Sequence, residues 1–262
     1  MKSFFIAVVA IAAVLQPCHA AIKVAAGQVN STTGASAVDT QNQNVDTFLQ
    51  LMSQAVSQGA VFIDFPEFSL MGSFEFDLCS STFTVAAFGE VIGAAGHRID
   101  CNGTGPLSRI GCSDAAKVLH VSYNTVENAA GIFFNTQVVV HNGVIVASYR
   151  KYNVFYKNCF ASPQLELITF VVQNTTFGIF TCYDILFEHP KMDLVRAGVK
   201  YFSYSSAIPL IGADAVSLFG AENGVNVVSS NANTGQSSIV DHGLTIAQAP
   251  SGGNYVVVAT LA

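Results

Sequence analysis

Thr176-Phe177-Gly178-Ile179-Phe180-Thr181-Cys182-Tyr183-Asp184-Ile185-Leu186-Phe187 is the stretch on which the fold turns. Phe177, Ile179 and Phe180 have the aromatic and β-branched content of a strand covered on both faces, as in a parallel α/β sheet. The strand ends at Cys182, and the chain then turns toward a helix. Open α/β sheets place their chemistry at the carboxyl ends of strands. A cysteine there has two readings: a packed small hydrophobe, which is what most free cysteines are, or a nucleophile.

Outward from this strand, the chain alternates in the same style. Residues 22–29 read as a first strand and 30–39 as a polar loop. Between 44 and 58 the apolar positions Val45, Phe48, Leu49, Met52, Ala55 and Val56 fall at helical spacing, and Gly59 stops the helix. Residues 60–65 form a second apolar strand, ended by Pro66. Strand–helix–strand with short links predicts a right-handed crossover and parallel pairing. Residues 81–96 read as helix and 117–123 as a third strand. Two apolar runs, 131–140 and 144–149, flank His141-Asn142-Gly143, a strong hairpin signature, so the sheet is mixed. Further strands are expected at 165–173, 200–205 and 224–231, and helices at 188–197 and 209–222. Residues 234–241 read as a polar loop. Strands at 242–247 and 255–261 close the chain around the turn at 251–254. No linker, repeat or low-complexity segment interrupts this, which predicts one domain over 21–262.

Composition bounds the function. The 262 residues are 51% hydrophobic and 11% charged, which excludes a disordered chain. The net charge of −6 and the lack of any basic run argue against nucleic-acid binding. Met1-Lys2 followed by an apolar run to Leu15 and by Cys18-His19-Ala20 reads as a secretory signal peptide over 1–20, and no membrane anchor is evident. The expected location is extracellular. Asn30, Asn102 and Asn174 each open an Asn-X-Thr glycosylation sequon. Past residue 20 there are five cysteines in an oxidising setting, so four can pair and one stays free. Cys101 and Cys112 flank a short loop and are the easiest pair to close. If Cys182 is the free thiol, Cys79 with Cys159 is what remains.

Three residues stand out by context. Glu67 follows Phe65-Pro66 at a strand end, where it is either a solvated loop residue or a positioned acid/base. Lys151 sits among Tyr149, Tyr152 and Phe155, where it either snorkels or is held desolvated near a carboxylate. With Cys182 they make one chemistry. A thiol is mostly protonated at neutral pH, a carboxylate can take its proton, and an ammonium can stabilise the oxyanion that follows. The backbone N–H of Tyr183 is placed to be a second oxyanion donor. The six histidines lack zinc spacing, and no nucleophile elbow or phosphate loop occurs.

These motifs resemble the nitrilase (carbon–nitrogen hydrolase) superfamily, and within it the vanin/biotinidase branch. Phe65-Pro66-Glu67 is similar to the family's Glu motif, and Phe134-Asn135-Thr136 through Tyr149-Arg150-Lys151-Tyr152-Asn153-Val154-Phe155 to the branch's hairpin-plus-Lys motif. Gly178 through Phe187, with His189-Pro190 beyond it, is similar to the nucleophile motif, and residues 224–231 to a later strand. The resemblance implies a four-layer α-β-β-α sandwich and a Glu67-Lys151-Cys182 triad. It further implies hydrolysis of a small linear amide without metal or cofactor. A monomer or homodimer is expected. The branch's reaction is cleavage of pantetheine to pantothenate and cysteamine, or of biotin amides. Three departures accompany it. The branch's second Glu corresponds to Asn158, the Trp expected in Tyr204-Ser205-Ser206-Ala207-Ile208 is absent, and the C-terminal domain of vanins and biotinidases is not included up to Ala262. They favour an alternative: a catalytically impaired protein that keeps the sandwich as a binding or structural module.

Overall fold

The computed structural model describes residues 21–72, 78–80, 84–208, 212–232 and 235–262. The expected signal peptide over 1–20 lies outside the described residues. Thirteen strands are described: β1 (Ile22–Gln28), β2 (Phe62–Asp64), β3 (Gly89–Glu90), β4 (His120–Ala129), β5 (Ile132–His141), β6 (Val144–Arg150), β7 (Thr169–Val172), β8 (Thr175–Thr181), β9 (Tyr201–Ser206), β10 (Asn226–Asn231), β11 (Ser238–Asp241), β12 (Leu244–Gln248) and β13 (Tyr255–Leu261). Four α-helices accompany them: α1 (Ala37–Ser57), α2 (Pro106–Gly111), α3 (Lys191–Arg196) and α4 (Gly212–Asn223).

The strands form two mixed sheets. One runs β13-β1-β2-β4-β5-β6, with β3 also on β4; the other runs β12-β11-β10-β9-β8-β7. β1 and β2 pair in parallel around α1, with Val24 opposite Phe62, as the crossover predicts. β4, β5 and β6 form an antiparallel meander. Its β5–β6 turn has Asn142 and Gly143 both at positive φ, the geometry of a twisted two-residue hairpin.

The alternation along β1 divides the core. Ile22, Val24 and Ala26 face the second sheet, packing with Phe62, Phe177, Ile179 and Val228. Ala25 faces the other way, onto Val45, Phe48 and Met52 of α1. On the outer side of the second sheet, Phe180 and Phe202 pack with Leu194 of α3 and with Val216 and Phe219 of α4. At Gly178 a Cβ would come within 3.1 Å of Leu194, Val199 and Phe202, so the glycine permits that close packing. The result is α-β-β-α, the four-layer sandwich expected. No helix among the described residues is long and apolar enough to cross a membrane.

Several boundaries differ from the sequence reading. α1 begins at Ala37 rather than 44, capped by Ser36, whose Oγ accepts the Asp39 N–H at 3.1 Å. Its first turns bury polar residues: Gln41 donates to Phe88 O (3.0 Å) and Asn44 to Thr32 O (2.9 Å). Inward-facing amides hide the apolar period there. The helix expected at 81–96 is absent from 84 onward, where a 3-10 turn, Val85–Phe88, leads into β3; residues 81–83 lie outside the described set. The polar loop expected at 234–241 contains β11, whose apolar content is only Ile239 and Val240. The last two strands are not a hairpin: β12 pairs with β11, and β13 crosses to the other sheet to pair with β1 over seven positions. Gln28 fixes that crossing by donating to Pro250 O (2.6 Å) and Gly252 O (3.0 Å).

Candidate active site

Glu67, Lys151 and Cys182 sit just beyond the ends of β2, β6 and β8. Two come from one sheet and the third from the other, so the site straddles the sandwich. Pro66 stops β2, and the chain turns tightly: Ser69 Oγ donates to Pro66 O (2.7 Å), and Phe68 adopts φ 58°. That turn aims the Glu67 side chain inward, where it is fully buried. Lys151 extends the β5–β6 ladder by one bond, its N–H donating to Asn135 O at 2.8 Å, which points its side chain into the same space.

The two charges meet there. Lys151 Nζ donates to Glu67 Oε1 at 2.6 Å, with side chains only 2% and 1% exposed. Asn135 Nδ2 donates to the same oxygen at 2.8 Å. Glu67 Oε2 is buried and takes no hydrogen bond from a nitrogen or oxygen among the described residues, and the Cys182 thiol hydrogen-bonds the same carboxylate. Burial would pull the Lys151 ammonium down, but Cys182, Glu67 and Asp184 outweigh it and hold its pKa above the usual lysine range.

Cys182 is the free cysteine among the described residues and is buried. The other four form Cys79–Cys159 and Cys101–Cys112. Cys182 adopts φ 48°, a left-handed conformation uncommon for a non-glycine residue and concentrated at functional sites. Burial pushes its thiol pKa up; Glu67 adds to this, while Lys151 and the backbone N–H of Ala207 pull the other way. The thiol is thus protonated at neutral pH and lies against the group that can accept its proton. Tyr204 Oη steadies the turn by donating to Cys182 O at 3.1 Å. Tyr183, the expected oxyanion donor, is second in the 3-10 turn Cys182–Leu186, where first-turn N–H groups lack intrahelical partners.

Asp184, which the sequence reading left without a role, ties the pieces together. Its Oδ2 accepts from Tyr149 Oη (2.8 Å) and the Thr181 N–H (2.9 Å). Its Oδ1 accepts from the backbone and side chain of Asn153, both at 2.9 Å. One buried carboxylate thereby joins the Cys182 turn to the Lys151 loop. Only its place two residues after Cys182 could have marked it.

Asn158, the altered second-Glu position, is exposed, and its Oδ1 lies 3.0 Å from the sulfur of Cys79. No hydrogen bond joins it to Glu67, Lys151 or Cys182 among the described residues. The Cys79–Cys159 disulfide links the segment after Glu67 to the segment after Lys151 across 80 positions. Phe68 packs on Tyr156 and Phe160 beside it, each at 6.0 Å between ring centroids. The sequon residues Asn30, Asn102 and Asn174 are all exposed.

The match to known proteins agrees with this geometry. The carbon-nitrogen hydrolase family model matches residues 23–262. Biotinidase of Homo sapiens is 30% identical over 224 residues, 74% of this chain and 40% of that protein. Pantetheinase of Canis lupus familiaris is 29% identical over 252 residues, 84% of this chain and 47% of that protein. The chain therefore spans about two fifths to one half of these relatives' length. Among solved structures, an amidase of Nesterenkonia from the nitrilase superfamily superposes with TM-score 0.73 at 15% identity, covering 92% of this chain and 90% of that one. The glutamine-dependent NAD+ synthetase of Acinetobacter baumannii gives 0.72 at 20% identity, covering 92% and 45%. With its motifs in order and the family model matched from strand β1 to the last residue, this chain belongs to the carbon–nitrogen hydrolase family.

Proposed function

We propose that this chain is a secreted amidohydrolase that cleaves a small linear amide of the pantetheine type, giving an acid and an aminothiol, through a thioester on Cys182. The observation that carries the reading is the buried Glu67–Lys151 ion pair set against a free, buried thiol. Glu67 takes the thiol proton as the sulfur attacks the amide carbon. Lys151 and the Tyr183 N–H hold the resulting oxyanion, whose charge is worth most to stabilise in so dry a site. Glu67 returns the proton to the leaving amine. It then takes a proton from water as that water attacks the thioester, and finally passes it back to sulfur. No metal or cofactor enters these steps.

Relatives named biotinidase and pantetheinase support the substrate class. The two disulfides and three exposed sequons support an extracellular setting, with residues 1–20 as the signal peptide and 21–262 as one hydrolase domain. One observation favours the second reading, a catalytically impaired sandwich: Asn158 is turned to the surface at the disulfide and takes no part in holding Lys151. Amine release from pantetheine and a panel of small amides, with wild type and Cys182→Ala, decides between them. Turnover by the wild type that Cys182→Ala abolishes is the expected outcome. Equal release by both proteins overturns the catalytic role, and no release by either supports the second reading.

A further inference from the structure

The two oxygens of Glu67 are not equivalent. Oε1 already accepts two hydrogen bonds, from Lys151 and Asn135, while Oε2 takes none from nitrogen or oxygen among the described residues, and the Cys182 thiol hydrogen-bonds the same carboxylate. Asn135 is itself held in a directed chain. The Phe68 N–H, which can only donate, meets Asn124 Oδ1 at 3.1 Å. That forces the Asn124 amide nitrogen toward β5, where it donates to Asn135 Oδ1 at 2.6 Å and to Thr136 O at 3.3 Å. Asn135 Oδ1 is thereby taken, so its Nδ2 must face Glu67. A flip of either amide would set acceptor against acceptor. The chain starts at the backbone one residue past Glu67 and returns to its carboxylate. Asn124 and Asn135 are 1% and 3% exposed, so water cannot easily substitute.

We propose that Asn135, its amide fixed by Asn124, is a positioning residue that saturates Oε1 of Glu67 and so assigns Oε2 as the atom that takes the Cys182 proton. The inference rests on the reading of Glu67 as the base. In the step concerned, the S–H bond breaks, the proton goes to Oε2, and the sulfur electron pair forms the bond to the amide carbon. Asn135 also stabilises the charged carboxylate by a direct hydrogen bond at 2.8 Å.

The test compares wild type with Asn135→Leu, close in shape but without a donor, in the full chain. Two readouts are used: the pH profile of kcat and KM on pantetheine, and the pH profile of Cys182 alkylation by iodoacetamide. For Asn135→Leu, kcat should fall about 100-fold, the lower range for a displaced general base, with KM within about threefold. The acid limbs of both profiles should move up by about one pH unit. Asn124→Ala, which keeps Asn135 but lets its amide turn, should move both limbs in the same direction by less, and it stands in if Asn135→Leu fails to fold. Folded variants whose acid limbs stay in place overturn the proposal, even if activity drops, because that is what a merely structural residue would do. Alkylation needs no substrate. A wild type that turns over no amide refutes the proposed function, and the alkylation profile still judges Asn135.

Discussion

Replacing Lys151 with Met tests whether Glu67 and Lys151 share one dry site. The ammonium and carboxylate are 2.6 Å apart, with side chains 2% and 1% exposed, so neither is offset by water. Removing one member of such a pair strands the other, at a cost of about 3–5 kcal/mol. Met approximates the lysine stem in volume, which keeps a cavity contribution small. Glu67→Gln should cost a similar amount, since it leaves the ammonium facing a neutral amide. The double variant strands no charge, so it should cost about as much as either single change rather than their sum, a coupling of roughly 3 kcal/mol. Urea unfolding followed by circular dichroism reads this directly; the chain has no Trp to report by fluorescence. Additivity of the two changes to within about 0.5 kcal/mol would refute the reasoning, because it would mean that the two groups are solvated independently.

Two further outcomes follow from the structure. Removing Cys79–Cys159 as an Ala pair should destabilise more than removing Cys101–Cys112, about 4.5 against about 3 kcal/mol, because the closed loops span 80 and 11 positions. Thermal or urea unfolding of the two paired variants checks the order, and the reverse order would count against it. Asp64 is buried, which raises its pKa from 3.8 to about 7 against the lowering effect of hydrogen bonds from Ser203 and neighbouring serines. The folded state therefore holds a proton that the unfolded chain releases, so this residue's contribution to stability falls as pH rises from about 4 to about 7. Asp64→Asn should flatten that slope in unfolding curves taken across the window, and an unchanged slope would assign the pH dependence elsewhere.

The sandwich was legible because its strands carry apolar runs: Phe177 to Phe180, and the stretches Val138 to Val140 and Val144 to Ala147 on either side of Asn142-Gly143, read correctly from composition and turn chemistry alone. Reading failed where polar residues face inward. Gln41 and Asn44 masked the start of α1, and Asp64 passed as part of an apolar strand although it is a fully buried acid. The three candidate catalytic residues stood out because each sits beside a strand end, a position visible in one dimension. Asn124, Asn135 and Asp184 did not, because their importance lies in which atom each one faces. Hydrogen-bond direction across strands 11 to 68 residues apart leaves no trace in local pattern.

Asp64 also belongs to a seam of hydroxyls and amides across the middle of the sandwich. Ser203 Oγ donates to its Oδ1 at 2.6 Å, and Ser230 Oγ donates to its backbone oxygen at 2.6 Å. Gln137 reaches across to Ser205 at 2.5 Å, and Ser122 meets Ser203 at 2.9 Å. Oil-like faces alone could glide over one another with little penalty, since apolar contact has no direction. These bonds act as dowels: sliding one sheet along the other would break several at once, in a place where water cannot replace them. The Cys182 sulfur on one half of the molecule and the Glu67 carboxylate and Lys151 ammonium on the other can thus be kept in line by a row of side chains that includes none of the three.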